Sequence, residues 1–218
     1  MTFFDLFRTR QPALIRQALH DLKGMLETTQ AMFGAASAHL LDNEPLPFDL
    51  EDRDQTVNDG EQNVRRAVLE HIAIDPEHDM VFSLTLLSIV QDAERLGDLA
   101  KSLAETAELA RAPRMGERAA RLRATRDHVA AMFETTRRAF LDGDESGARA
   151  VMEESRAAKE QVAAFIEHLA ASDDVPANEA LVLGLAARFI GRTGSHLSNI
   201  ASSVALPFDQ IRSNDESI

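Results

Sequence analysis

QDAERLGDLAKSLA, residues 91–104, lies without a gap over RFIGRTGSHLSNIA, residues 188–201. The later copy keeps the Arg, the Gly and much of the apolar skeleton, but Glu94 becomes Gly191 and Asp98 becomes Ser195. A second pair, MLETTQAMF at 25–33 and MFETTRRAF at 132–140, shares the string ETT. Apolar positions match between any two amphipathic helices. Shared polar strings, which no core dictates, point instead to an internal duplication.

Working outward from these pairs, helix breakers divide the chain into six long segments with a 3.6-residue apolar period. They run over about 12–41, 49–74 and 79–110, then 116–141, 147–171 and 177–205, separated by DNEPLP, DPEHD, a stretch around Pro113, DGDESG and SDDVP. The two pairs sit at different spacings because DNEPLPFDLED is longer than its counterpart DGDES. The expected fold is all-α. Two tandem antiparallel three-helix bundles, residues 1–112 and 113–218, are related by an internal pseudo-two-fold repeat, since short loops make consecutive helices antiparallel.

Composition agrees with this reading and narrows the chemistry. Of 218 residues 44% are hydrophobic and only 5% aromatic, without Trp or Tyr, which suits helices better than sheets. A net charge of -13, spread along the chain, would repel a phosphate backbone and argues against nucleic acid. The absence of Cys removes disulfides, thiolate nucleophiles and sulfur metal sites, so any metal here would use carboxylate, amide or imidazole ligands. No run approaches the ~20 apolar residues of a membrane span, and MTFFDLFRTRQ is too short and too charged for a signal peptide. A cytoplasmic protein is expected, with Phe3, Phe4, Leu6 and Phe7 packing onto the core or touching a partner.

The second segment breaks a local rule. Its inward seam at spacings of three and four reads Leu50, Asp54, Val57, Glu61, Val64, Val68 and Ile72, so two carboxylates stand where a plain bundle has Leu or Val. Asn58 follows Asp54 by one turn. On the third segment Glu94 and Asp98 share a face with Gly97 between them, and a mid-helix glycine, which costs about 0.8–1.0 kcal/mol against Ala, is explained by a close neighbour at that level. Carboxylates brought together at a core edge need a positive charge. Two kinds are available: a divalent cation held by oxygen ligands from facing helices, or ion pairs to Arg53, Arg65, Arg66 and Arg95.

Asp54 to Asn58 (D-x-x-V-N) followed by E-R-L-G-D at Glu94 to Asp98, in a duplicated three-helix chain that begins FFDLFR, resembles the PhoU family. The resemblance covers nearly the whole sequence, and E-R-x-G-D within a long helix is its most specific part. It implies metal ligands at Asp54, Glu94 and Asp98, with Asn58 where the family often has Asp; Glu61 joins them on spacing alone. The later repeat offers Glu154, Ala158, Gly191 and Ser195 at the corresponding places. One divalent ion (Mg, Ca, Mn, Fe or Zn) in the first repeat is therefore the expected cofactor.

The resemblance also implies a regulatory, non-enzymatic protein that restrains phosphate transport or phosphate-starvation signalling through a phosphate transporter or a sensor kinase. Peripheral membrane contact would come through such a partner, and a homodimer is an expected assembly. The alternative is a metal-independent helical adaptor whose arginines neutralise the acids, with a metal-dependent hydrolase or oxidase third. No Glu has a His three residues later, as a di-iron bundle requires. His20, His39, His71, His128, His168 and His196 are expected at surfaces or bundle edges and His78 in a loop. Nucleotide and nucleophile motifs are missing. Met25, Met32, Phe33, Met132, Phe133 and Phe140 recur at helical spacing as core.

Overall fold

The structure is a computed structural model, which describes residues 12–77 and 79–212. Six long helices account for nearly all of it: α1 (Ala13–Leu41), α2 (Leu50–Ile74), α3 (Met80–Glu108), α4 (Gly116–Asp142), α5 (Glu145–Ala171) and α6 (Ala177–Ala205), with a short 3-10 turn at Phe208–Gln210. The boundaries fall within two residues of those expected from the breakers. Two side-chain caps set helix starts: Asp49 accepts the Glu51 amide at 2.8 Å to cap α2, and Asp144 accepts the Gly147 amide at 3.0 Å to cap α5. Gly143 in the left-handed region (φ 67°) ends α4.

Helices α1 to α3 pack on one another as one bundle and α4 to α6 as the other; α1 lies against α4, and α3 against α6. Thus α1, α3, α4 and α6 share a central layer, and α2 and α5 flank it. The core is continuous through both bundles. Met25, Met32, Phe33, Met132, Phe133 and Phe140 are all buried in it, and the Phe33 and Phe133 rings meet 5.5 Å apart where α1 crosses α4.

Polar contacts fasten the bundles at their ends. Asp42, just past α1, accepts from Arg123 Nε at 2.7 Å and Arg126 Nη1 at 2.8 Å of α4. Arg114 and Arg123 also donate to the final carbonyls of α1, at His39, Leu40 and Leu41, which are the groups a helix leaves unpaired at its negative end. Burial would raise the Asp42 carboxyl, but hydrogen bonds and charge from Arg126 and Arg123 outweigh it and hold the group below the usual carboxylate range.

One expectation concerning a single residue comes out differently. His71, placed by the periodicity at an edge, is buried, because the apolar stripe of α2 rotates towards Ala67 and His71 in its last turns. The Phe3 to Phe7 segment and His78 lie outside the described residues.

Candidate metal site at the α2–α3 interface

The seam of α2 faces α3 as its spacing requires: Leu50, Asp54, Val57, Val64 and Val68 are buried, while Asn58, Glu61 and Ile72 are half-buried. Asp54 reaches this depth because Gly97 stands opposite. A Cβ on residue 97 would lie 3.2 Å from Asp54 Oδ1, so the missing side chain makes room for the carboxylate.

Asp54 is only 6% exposed, and a carboxylate so placed requires donors. Its Oδ2 has two: Asn58 Nδ2 at 3.2 Å, one turn along α2, and Lys101 Nζ at 2.6 Å, from α3. The same ammonium lies 3.5 Å from Asp98 Oδ1. Carboxylates from two helices thus converge, as the spacing implied, and a lysine that the spacing did not single out stands between them. Burial would push the Lys101 ammonium down, but its hydrogen bond to Asp54 and the charges of Asp54, Glu51 and Asp98 carry it above its ordinary value.

The remaining sequence-predicted residues have cations of their own. Asp98 Oδ2 accepts from Arg95 Nη1 at 3.0 Å, Glu94 faces Arg95 Nε at 3.6 Å, and Glu61 accepts from Arg65 Nε and Nη2 at 3.0 and 2.8 Å. Arg53 instead lies over the Phe48 ring, 5.0 Å from its centre. Neutralisation is uneven at Glu94: burial first, then the charges of Asp98 and Glu61, raise its carboxyl above the usual range, against the opposing pull of Arg95.

A divalent ion needs several oxygen ligands at close range around one point. Among the described residues no group of three or more Asp, Glu or His side chains is disposed to hold one. The approach of Asp54 to Asp98, the pair from facing helices, is spanned by an ammonium. As placed, this donor set fits a lysine rather than a divalent metal.

A second buried carboxylate escaped the sequence reading. Asp92 of α3 is 3% exposed and is fully satisfied: Oδ1 faces His196 Nδ1 at 2.9 Å and accepts from Asn199 Nδ2 at 3.0 Å, both of α6, while Oδ2 accepts from Arg212 Nε at 2.9 Å and from its Nη2. Arg212 also donates to the Ser88 carbonyl. The signal available was an Asp set among Ile89, Ala93 and Leu96 on the buried face of α3. Its partners lie more than a hundred residues further along the chain, out of reach of any local pattern. A groove of about 640 Å³ opens between Met80, Phe82, Val204 and Phe208, and none of Asp54, Asp92, Glu94 or Asp98 lines it.

These observations define a class: a duplicated three-helix protein in which one copy carries a carboxylate cluster between its second and third helices and the other copy does not. The chain belongs to the PhoU family, whose domain model, the PhoU domain, matches it twice, over residues 22–107 and 122–204. Its fold is similar to the crystal structure of PhoU from Pseudomonas aeruginosa, with a TM-score of 0.80 and 22% identity over 88% of this chain and 95% of that one. It is also similar to that of the phosphate transport system regulatory protein PhoU from Streptococcus pneumoniae, with a TM-score of 0.71 and 15% identity over 94% of this chain and 95% of that one. A direct sequence comparison with curated proteins returns no match.

Proposed function

We propose that this protein regulates phosphate transport, restraining uptake or phosphate-starvation signalling by binding a phosphate transporter or a sensor kinase. The observation that carries the reading is the pair of family matches, one on each bundle, so that both copies of the domain are present. The regulatory role reaches this chain from the family and from its likeness to the phosphate transport system regulatory protein of Streptococcus pneumoniae. No described helix is long and apolar enough to cross a membrane, so contact with a transporter would be made from the water side of its membrane. Deletion of the gene in its host, followed by measurement of labelled phosphate uptake at high external phosphate, tests the proposal. Uptake should rise and return to its former rate on complementation; an unchanged rate overturns the reading.

A second reading keeps the divalent cation at Asp54, Asn58, Glu61, Glu94 and Asp98 as the signal that the regulator senses. The crowding at Glu94 by Asp98 and Glu61 favours it. The position of Lys101 weighs against it. Metal titration separates the two.

A further inference from the structure

We propose that Lys101 is a built-in cation that takes the place of a divalent metal in the first repeat, so that the α2–α3 interface closes without metal and becomes a metal site only when this lysine is removed. The inference concerns the interface alone and stands whether or not the protein regulates phosphate transport.

Three observations carry it. The ammonium makes a hydrogen bond of 2.6 Å to a carboxylate oxygen that, among the described residues, is otherwise reached only by Asn58, and it lies 3.5 Å from Asp98. The other oxygen of Asp54, Oδ1, lies 3.2 Å from where a Cβ on residue 97 would stand, so it packs onto α3 at Gly97, and the residue as a whole is only 6% exposed. Finally, Lys101 aligns with Ser198 of the later repeat, where Gly191 and Ser195 replace Glu94 and Asp98: the α3 acids and the lysine are present together in one copy and absent together from the other, which keeps only Glu154 at the place of Asp54.

The chemistry favours the lysine over an ion from solution. A single ammonium with three donors satisfies acceptors on two helices without the several oxygens at about 2.3–2.6 Å that a calcium-sized ion demands. It is tethered to the site by its own backbone, so it is present at an effective concentration in the millimolar range or above, which a cellular divalent ion must outcompete. Removing it leaves Asp54 desolvated and unpaired beside Asp98, the condition that draws in a cation.

The test is thermal melting and calorimetric titration of the full chain with Mn²⁺, before and after chelation. For the wild type we expect neither metal in the purified protein nor a change in melting temperature with Mn²⁺ or EDTA. Lys101→Met, which keeps the apolar stem, should melt lower than the wild type and recover in Mn²⁺ with measurable binding heat. The double variant Asp54→Asn with Lys101→Met should lose both the deficit and the recovery, and it reads the pair even if the single variant does not fold. Stoichiometric metal in the wild type, lost on chelation with a fall in melting temperature, overturns the proposal. So does a Lys101→Met protein indifferent to Mn²⁺.

Discussion

The two copies of the three-helix unit solve one packing problem with opposite chemistry. Where α2 meets α3, the close approach is polar: Gly97 admits Asp54, and Lys101 neutralises it. Where α5 meets α6, it is apolar: a Cβ on Gly191 would touch Val162 Cγ2 at 3.3 Å, and the hydroxyls of Thr193 and Ser195 turn back onto the α6 carbonyls of Phe189 and Gly191. Both interfaces bury their seams. The duplicated fold therefore does not need the charges; they are a property of one copy, and whatever they do is additional to holding three helices together.

Transplanting charge into the apolar copy should have the largest effect. Gly191→Glu restores the residue found at position 94, but position 191 is buried against Val162, whereas its neighbour Arg192, the counterpart of Arg95, is exposed. An unpaired carboxylate forced into that contact should cost about 3 kcal/mol or more. Urea denaturation reads the loss. A variant as stable as the wild type would show that the second interface tolerates charge and that the contrast between the copies is superficial.

The contact between copies comes next. Arg212 supplies half of the hydrogen bonds to Asp92 and ties the segment after α6 back onto α3. Arg212→Ala should cost about 1.5–3 kcal/mol, the range for hydrogen bonds to a charged group, and amide exchange should quicken along the α3–α6 contact. A smaller effect follows within the first copy. Lys101→Met without metal should cost about 1.5–2 kcal/mol, below the figure for a fully buried pair because the lysine retains some exposure, whereas Ser198→Ala, at the matching position, should fall within about 0.5 kcal/mol of the wild type. Equal costs at the two positions would dissolve the distinction drawn between the copies.

Much of this contrast was legible in the sequence. The breakers set six helices because Pro, Gly and Asp clusters interrupt a strong apolar period, and the same period turned Asp54 inward and put Glu94 and Asp98 on one face. Gly97 announced a close approach before its neighbour was known. Lys101 stayed hidden for a physical reason: a long flexible side chain on a helix edge reads as solvated, and only the packing of α2 against α3 reveals that its ammonium falls on Asp54. The Asp92 cluster was hidden more deeply, since its donors come from α6 and from beyond its end. Repeats reveal what two copies share; contacts between copies have no counterpart within either.

The smallest expected effect tests whether neutralisation in the first copy is incomplete. Burial, Asp98 and Glu61 hold the Glu94 carboxyl above its unfolded value, so the folded state keeps that proton to higher pH than the unfolded chain does. Stability from this group is fully present below the unfolded value and is lost as pH rises through the folded one. Asp42, held down by its two arginines, behaves in the opposite sense, contributing above its unfolded value and losing that contribution as pH falls through the folded one. The two overlap in the acid limb of the wild type, and only a difference between variants separates them. Glu94→Gln removes the raised carboxyl and leaves Asp42 in place, so it should gain on the wild type by about 0.5 kcal/mol at neutral pH, with the gain vanishing once pH drops below the ordinary carboxylate range. Parallel stability curves across that range would mean that Arg95 balances Glu94 completely, leaving Lys101 and the arginines in full command of the interface.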